Sequence, residues 1–153
     1  MDIYTLDFET YYDQDFSLSK MTTEAYVRDP RFEVIGLGIK KNDKSTKYLN
    51  DPEQIKALLD RIDFSAAGIV CQNTMFDGAI LSWRYGVKPK VWFDTMCMGR
   101  ALHGVDQPAS LRALSERYGI GEKGFEVHNA KGKHSADFTA EEAKKYGEYC
   151  IQD

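Results

Sequence analysis

Several things are scarce in this 153-residue sequence, and each scarcity removes a class of protein. Cysteine occurs three times, at Cys71, Cys97 and Cys150. An odd number, widely spaced and without a Cys-x-x-Cys pair, provides neither a disulfide framework nor zinc-ligand spacing, and three buried free thiols are expected instead. No apolar run approaches the roughly 20 residues of a membrane span. Asp2 stands where a secretory signal would carry basic residues, so a cytoplasmic location without a membrane partner is expected. A basic surplus is also missing: 20 Lys and Arg against 24 Asp and Glu leave a net charge of −4. That argues against a nucleic-acid binder held by many phosphate contacts, and any such binding has to be local and metal-assisted. There is no internal repeat and no low-complexity tract.

What is present suits one domain with a real core, since 42% of positions are hydrophobic and 29% charged. "IYTL" (3–6) reads as a first strand, and "FEVIGLGIKK" (32–41) with "STKYLN" (45–50) reads as a hairpin turning at Asn42 and Asp43. "DPEQIKALLDRI" begins with a capping acid, Asp51, and Pro52 at the first helical position, and places Ile55, Leu58, Leu59 and Ile62 on one face. "GIVCQN" (68–73) and "KVWFDT" (90–95) are short strands, "DGAILSWRYG" (77–86) and "PASLRALSERYG" (108–119) are helices closed by glycine, and 121–138 is a long loop. "TAEE" (139–142) is a capping box that opens a terminal helix. The alternation predicts an α/β fold with a mixed sheet.

Carboxylates recur where such a sheet would bring them together. Asp7 and Glu9 are two apart at the end of the first apolar run, so they share a face and repel unless a cation sits between them. Asp77 follows the strand "GIVCQN" at a helix start, and Asp153 lies on the terminal helix, four residues from Tyr149 and on the same face. Sites in open α/β sheets lie at strand ends. Magnesium and manganese prefer carboxylate and water oxygens, and a pair of such ions can activate water on one side of a phosphodiester while stabilising the leaving oxygen on the other. The chemistry this donor set suits is phosphodiester hydrolysis.

Three motifs in order, "DFET" (7–10), "NTMFD" (73–77) and "YCIQD" (149–153), resemble those of the DEDD family of 3′–5′ exonucleases, and more closely the DnaQ-like proofreading domains of phage and bacterial DNA polymerases. "AYVRDPRFEVIGLGI" (25–39) and "FDTMCMGRAL" (93–102) are similar to the viral polymerase branch, where a DT pair opens the helix after the second motif. Position 149 is Tyr, four before the last Asp, which matches the tyrosine branch of the family. The resemblance implies a ribonuclease-H-like mixed β-sheet flanked by helices. It also implies two divalent ions, Mg2+ or Mn2+, held by Asp7, Glu9, Asp77 and Asp153, with Tyr149 orienting the attacking water. A phenol with an ordinary pKa of about 10 is neutral at pH 7, so Tyr149 is expected to position rather than to act as base. Phe8, Thr10, Asn73 and Phe76 are implied to contact the nucleic acid, Phe76 by stacking on a terminal base.

The expectation is an exonuclease domain over 1–153 that releases nucleoside 5′-monophosphates from a single-stranded DNA 3′ end. Its partners would be that strand and a polymerase domain or other replication proteins. The family's domains continue past the third motif while this sequence closes at Asp153, so a polymerase fragment and a compact stand-alone protein are both open. An exoribonuclease of the same superfamily and a catalytically silent nucleic-acid-binding module are the alternative functions. Tyr11 and Tyr12 in "YYDQD", the histidines His103, His128 and His134, and the loop lysines Lys123, Lys131 and Lys133 are expected at the surface.

Overall fold

The computed structural model describes residues 1–120 and 130–152. Among these, five strands form one mixed sheet. In chain order they are β1 (Ile3–Thr10), β2 (Val34–Lys41), β3 (Lys47–Leu49), β4 (Gly68–Cys71) and β5 (Val91–Asp94), arranged β3-β2-β1-β4-β5. β2 runs antiparallel to β1 and β3, whereas β4 runs parallel to β1 and β5 parallel to β4. The hairpin turns through Asn42 at φ 49°, a left-handed conformation that asparagine tolerates better than most residues. The helices are α1 (Thr23–Arg28), α2 (Pro52–Leu59), α3 (Thr74–Arg84), α4 (Thr95–His103), α5 (Leu111–Tyr118) and α6 (Ala140–Gln152).

Local chemistry explains most of the boundaries. Asp51 caps α2 by accepting from the amides of Glu53 and Gln54, Ser110 caps α5, and Gly119 ends α5 in the left-handed region at φ 64°. The Thr139–Glu142 box is formed in both directions: the Glu142 amide donates to Thr139 Oγ1 at 3.2 Å, and the Thr139 amide donates to Glu142 Oε2 at 2.9 Å. Most boundaries shift by a few residues from the sequence reading, and two of the shifts bear on the site. β1 runs on to Thr10, so Asp7 and Glu9 lie inside the strand, because pairing with β2 extends to Thr10↔Val34 and carries the polar residues along. α3 begins at Thr74 rather than at 77, since the carboxylate of Asp94 captures the Thr74 amide at 2.9 Å and starts the helix earlier.

The sheet's two faces are used differently. Leu6 and Phe8 point into a core with Leu37, Ile39, Ile55, Ile80 and Leu81, the face covered by α2 and α3. Asp7 and Glu9 point the other way, toward α6, which lies against β2 and β3. That seat is close: a Cβ on Gly38 would stand 3.1 Å from the Cys150 carbonyl oxygen, and one on Gly147 would stand 2.6 Å from the Tyr48 ring. Tyr11, expected at the surface, is buried because its ring packs on Phe16 and on His134, whose centroid is 3.9 Å away. Of the three cysteines, Cys71 and Cys150 are buried, but Cys97 is exposed; it lies in the first turn of α4, on the side away from the sheet. Of the loop expected over 121–138, the described part carries a short 3-10 turn, Ser135–Asp137. Glu33 anchors it by accepting from the Ser135 amide at 2.9 Å and lying 2.6 Å from His134 Nδ1. Lys123 and His128 lie outside the described residues.

Candidate active site

The pairing of β1 with β4 covers only Ile3–Thr5. Beyond it the neighbouring edge of β1 needs another acceptor for its backbone amides. Asp77, in the first turn of α3, provides one: its Oδ1 accepts from the Phe8 amide at 2.9 Å across 69 residues of sequence. The contact sets a carboxylate from the second motif beside the strand that carries Asp7 and Glu9. Asp77 is 1% exposed. Burial first, and the negative charge of Asp7 and then Glu9, push its carboxyl well above the ordinary range, against the opposing amide of Phe8.

Glu9 is met from the other side by α6. The Tyr146 hydroxyl donates to its Oε2 at 2.7 Å, and the Cys150 thiol lies 3.5 Å from its Oε1. The same negative charge is felt around it. Burial raises the Tyr146, Tyr48 and Tyr12 phenols, and Glu9 raises each further; burial raises the Cys71 thiol, with Asp77, Asp7 and Asp94 adding to it. Burial is the main reason each of these groups is held toward its protonated form, and the neighbouring carboxylates add to it, so a cation placed here would relieve part of that repulsion. The donors are hard carboxylate oxygens, which fit Mg2+ or Mn2+. Among the described residues no three carboxylate, histidine or cysteine side chains already stand close enough to hold an ion. Asp153, the fourth acid of the sequence reading, lies outside the described residues.

The remaining expected contacts divide. Thr10 and Phe76 line an open groove of about 670 Å³, together with Tyr12, Tyr26, Lys20 and Lys131. Asn73 caps α3 from a left-handed conformation, φ 65°, without a side-chain bond to the helix. Phe8 is different. Its ring is 3% exposed and stacked on Tyr85, so the part of it facing this edge is its backbone, because alternation along β1 turns it to the core while Asp7 and Glu9 face outward. Tyr149 is buried, with its ring stacked on Tyr146 at 6.3 Å. Asp7 lines a second cavity of about 320 Å³, with Cys71, Gln72 and Cys150.

Sequence reasoning passed over Tyr146, took Cys150 only as a buried free thiol, and placed Asp94 only in the pair that opens the next helix. Tyr146 and Cys150 are four apart, so helical spacing alone would have put them on one face of α6. Nothing in the spacing says that this face meets Glu9. Asp94 is a structural residue: burial opposes its ionised form, but the amides of Cys97 and Thr74 outweigh that and hold its carboxyl below the ordinary range while it caps α4 and starts α3.

No family model and no curated protein matches this sequence. Solved structures do. Brucella melitensis NrnC superposes with a TM-score of 0.64 at 16% identity, over 99% of this chain and 66% of that one. The same protein with bound Mg2+ gives 0.62 at 13% identity, and bound to pGG gives 0.56 at 15%, each over 97% of this chain and 66% of that one. A chain described as the apo form of the nuclease gives 0.64 at 13% identity over 97% and 66%. This chain thus spans 66% of the length of these neighbours. At such identities the likeness is one of fold, and together with the mixed five-stranded sheet flanked by helices it makes this a ribonuclease-H-like α/β fold.

Proposed function

We propose that this chain is a divalent-metal-dependent 3′–5′ exonuclease domain of the DEDD class, tyrosine branch. It removes nucleoside 5′-monophosphates from the 3′ end of single-stranded DNA in the proofreading of a DNA polymerase. The observation that carries the reading is the approach of Asp77 to β1 beside Asp7 and Glu9, with its carboxyl pushed up first by burial and further by both acids. The likeness in fold to NrnC, which has been solved with bound Mg2+, supports it. Asp7, Glu9, Asp77 and Asp153 would hold the metal, which when bound supplies Lewis-acid charge and a more acidic water.

The rest is the work of the chain. Thr10 and Phe76 seat the terminal nucleotide in the 670 Å³ groove, where base–aromatic stacking contributes about 1–3 kcal/mol per base, and Asn73 meets the strand from the start of α3. Lys131 at the groove margin meets phosphate. Tyr149 orients the attacking water by a hydrogen bond, and the buried surroundings exclude bulk solvent from that side. Because NrnC has been solved with pGG, a second reading has the same site acting on short oligonucleotides rather than on a primer end.

The test is a cleavage assay with 5′-end-labelled single strands of DNA and RNA, long and dinucleotide, in Mg2+, in Mn2+ and in EDTA. A ladder of products shortened from the 3′ end, abolished by EDTA, is expected, with DNA favoured. Turnover that survives EDTA refutes the mechanism, and strands that bind without being cut favour a silent binding module. Preference for the dinucleotide selects the second reading.

A further inference from the structure

Tyr146 matches none of the three motifs, yet its hydroxyl bonds directly to a proposed metal ligand. It donates to Glu9 Oε2 at 2.7 Å across 137 residues of sequence, and its ring is 5% exposed, so water does not compete for the bond. A phenylalanine would fill the same space in the core; packing alone does not call for an oxygen there. We infer that Tyr146 is a positioning residue that fixes the Glu9 carboxylate in the orientation from which it receives a divalent cation. The inference rests on the proposed reading of Asp7, Glu9 and Asp77 as cation ligands.

A glutamate side chain turns about three bonds before its oxygens can act as ligands, and a ligand held in place beforehand binds more tightly than one that must be ordered on binding. The Tyr146 ring is itself held. It stacks on Phe138 at 5.4 Å and on Tyr149 at 6.3 Å, and the next residue, Gly147, lies directly on Tyr48. Cys150, one turn further along α6, offers its thiol to the other oxygen of Glu9 at the longer distance of 3.5 Å. Each carboxylate oxygen has two lone pairs, so accepting these two donors does not by itself exhaust the capacity of either oxygen. Outer partners of this kind typically change metal affinity by about 10- to 100-fold when removed.

The test compares the parent chain with Tyr146→Phe and Tyr149→Phe. Mn2+ and Mg2+ binding is measured by titration calorimetry without substrate, metal-free melting is followed by circular dichroism, and cleavage is measured across metal concentration. For Tyr146→Phe the dissociation constant for Mn2+ is expected to rise about 10- to 100-fold, with kcat and KM for the oligonucleotide returning to parent values at saturating metal. Tyr149→Phe should bind Mn2+ as the parent does. A Tyr146→Phe variant that binds Mn2+ as tightly as the parent, or one whose kcat stays low at saturating metal, overturns the inference and leaves the functional reading standing. A parent chain that binds neither ion overturns the functional reading itself.

Discussion

Gly147→Ala should separate the seating of α6 from the stability of the fold. A Cβ at this position would lie 2.6 Å from Tyr48 Cδ1 and 3.0 Å from Cε1, against about 3.4 Å for ordinary contact. The Tyr48 ring has no room to retreat, because its other side already rests on Gly36, where a Cβ would stand 2.5 Å from Cε2. The helix therefore lifts by a little under about 1 Å. Overpacking of this size costs about 1–3 kcal/mol, and alanine in place of glycine inside a helix returns about 1 kcal/mol, so the net destabilisation is between zero and about 2 kcal/mol. For a chain of this length that lowers the melting temperature by no more than roughly 8 °C. The same lift stretches the 2.7 Å bond from Tyr146 to Glu9 to about 3.5 Å, beyond hydrogen-bonding range. Below saturating metal, a displacement near 1 Å in a site of this kind costs up to about 100-fold in rate. Circular dichroism melting and the EDTA-controlled cleavage assay, run on the same preparations, give both numbers. A variant that melts within this range and cleaves at the parent rate refutes the argument that the seat of α6 sets Glu9.

Three other outcomes follow from the same geometry. Asp77→Asn keeps an oxygen for the Phe8 amide but removes a carboxyl whose ionisation burial and Asp7 oppose, so the metal-free protein should melt higher, by roughly 2–4 °C for about 1 kcal/mol, while cleavage is lost; a lower melting temperature would show that the carboxyl itself is structural. Tyr149→Phe should cut kcat by roughly 10- to 1000-fold in single-turnover assays, and parent-like rates would remove the tyrosine from the chemistry. Glu142 is held down to about 2, first by the ammonium of Lys133 at 2.6 Å and then by the Thr139 amide and hydroxyl. Its folded pKa is below its unfolded value of 4.5, so its contribution is complete above pH 4.5 and is lost as the pH falls toward 2. Amide exchange at the start of α6 should speed up across that window in the parent, and Glu142→Gln, which can still close the box, should flatten the dependence.

Much of the fold was legible because its signals are local. The caps at Asp51 and Thr139 and the glycine stop at Gly119 are each decided within four residues by hydrogen bonds that satisfy a helix end. The alternation along "LDFE" likewise forces Asp7 and Glu9 onto one face and Leu6 and Phe8 onto the other, whatever the strand pairs with. Helix starts that depend on a distant partner were not legible. The first turn of α3 is drawn back to Thr74 by Asp94, twenty residues on, and the turn at Ser135 exists because Glu33, on the far side of the sequence, accepts from it.

By itself, then, the sequence determined the donor types, their order and the face each takes on its own strand or helix, since these follow from bond geometry and side-chain chemistry over a few residues. Tertiary structure alone decided which of them meet. Strand order β3-β2-β1-β4-β5 ends the β1–β4 pairing at Thr5 and so leaves the Phe8 amide for Asp77. The close approach at Gly38 and Gly147 lets α6 reach Glu9 with Tyr146 and Cys150, and the packing of His134 over Tyr11 turns an expected surface tyrosine into core. These contacts join residues from 69 to 141 positions apart. Their formation depends on the loop closures and shared packing of the whole domain, which no short stretch of residues encodes.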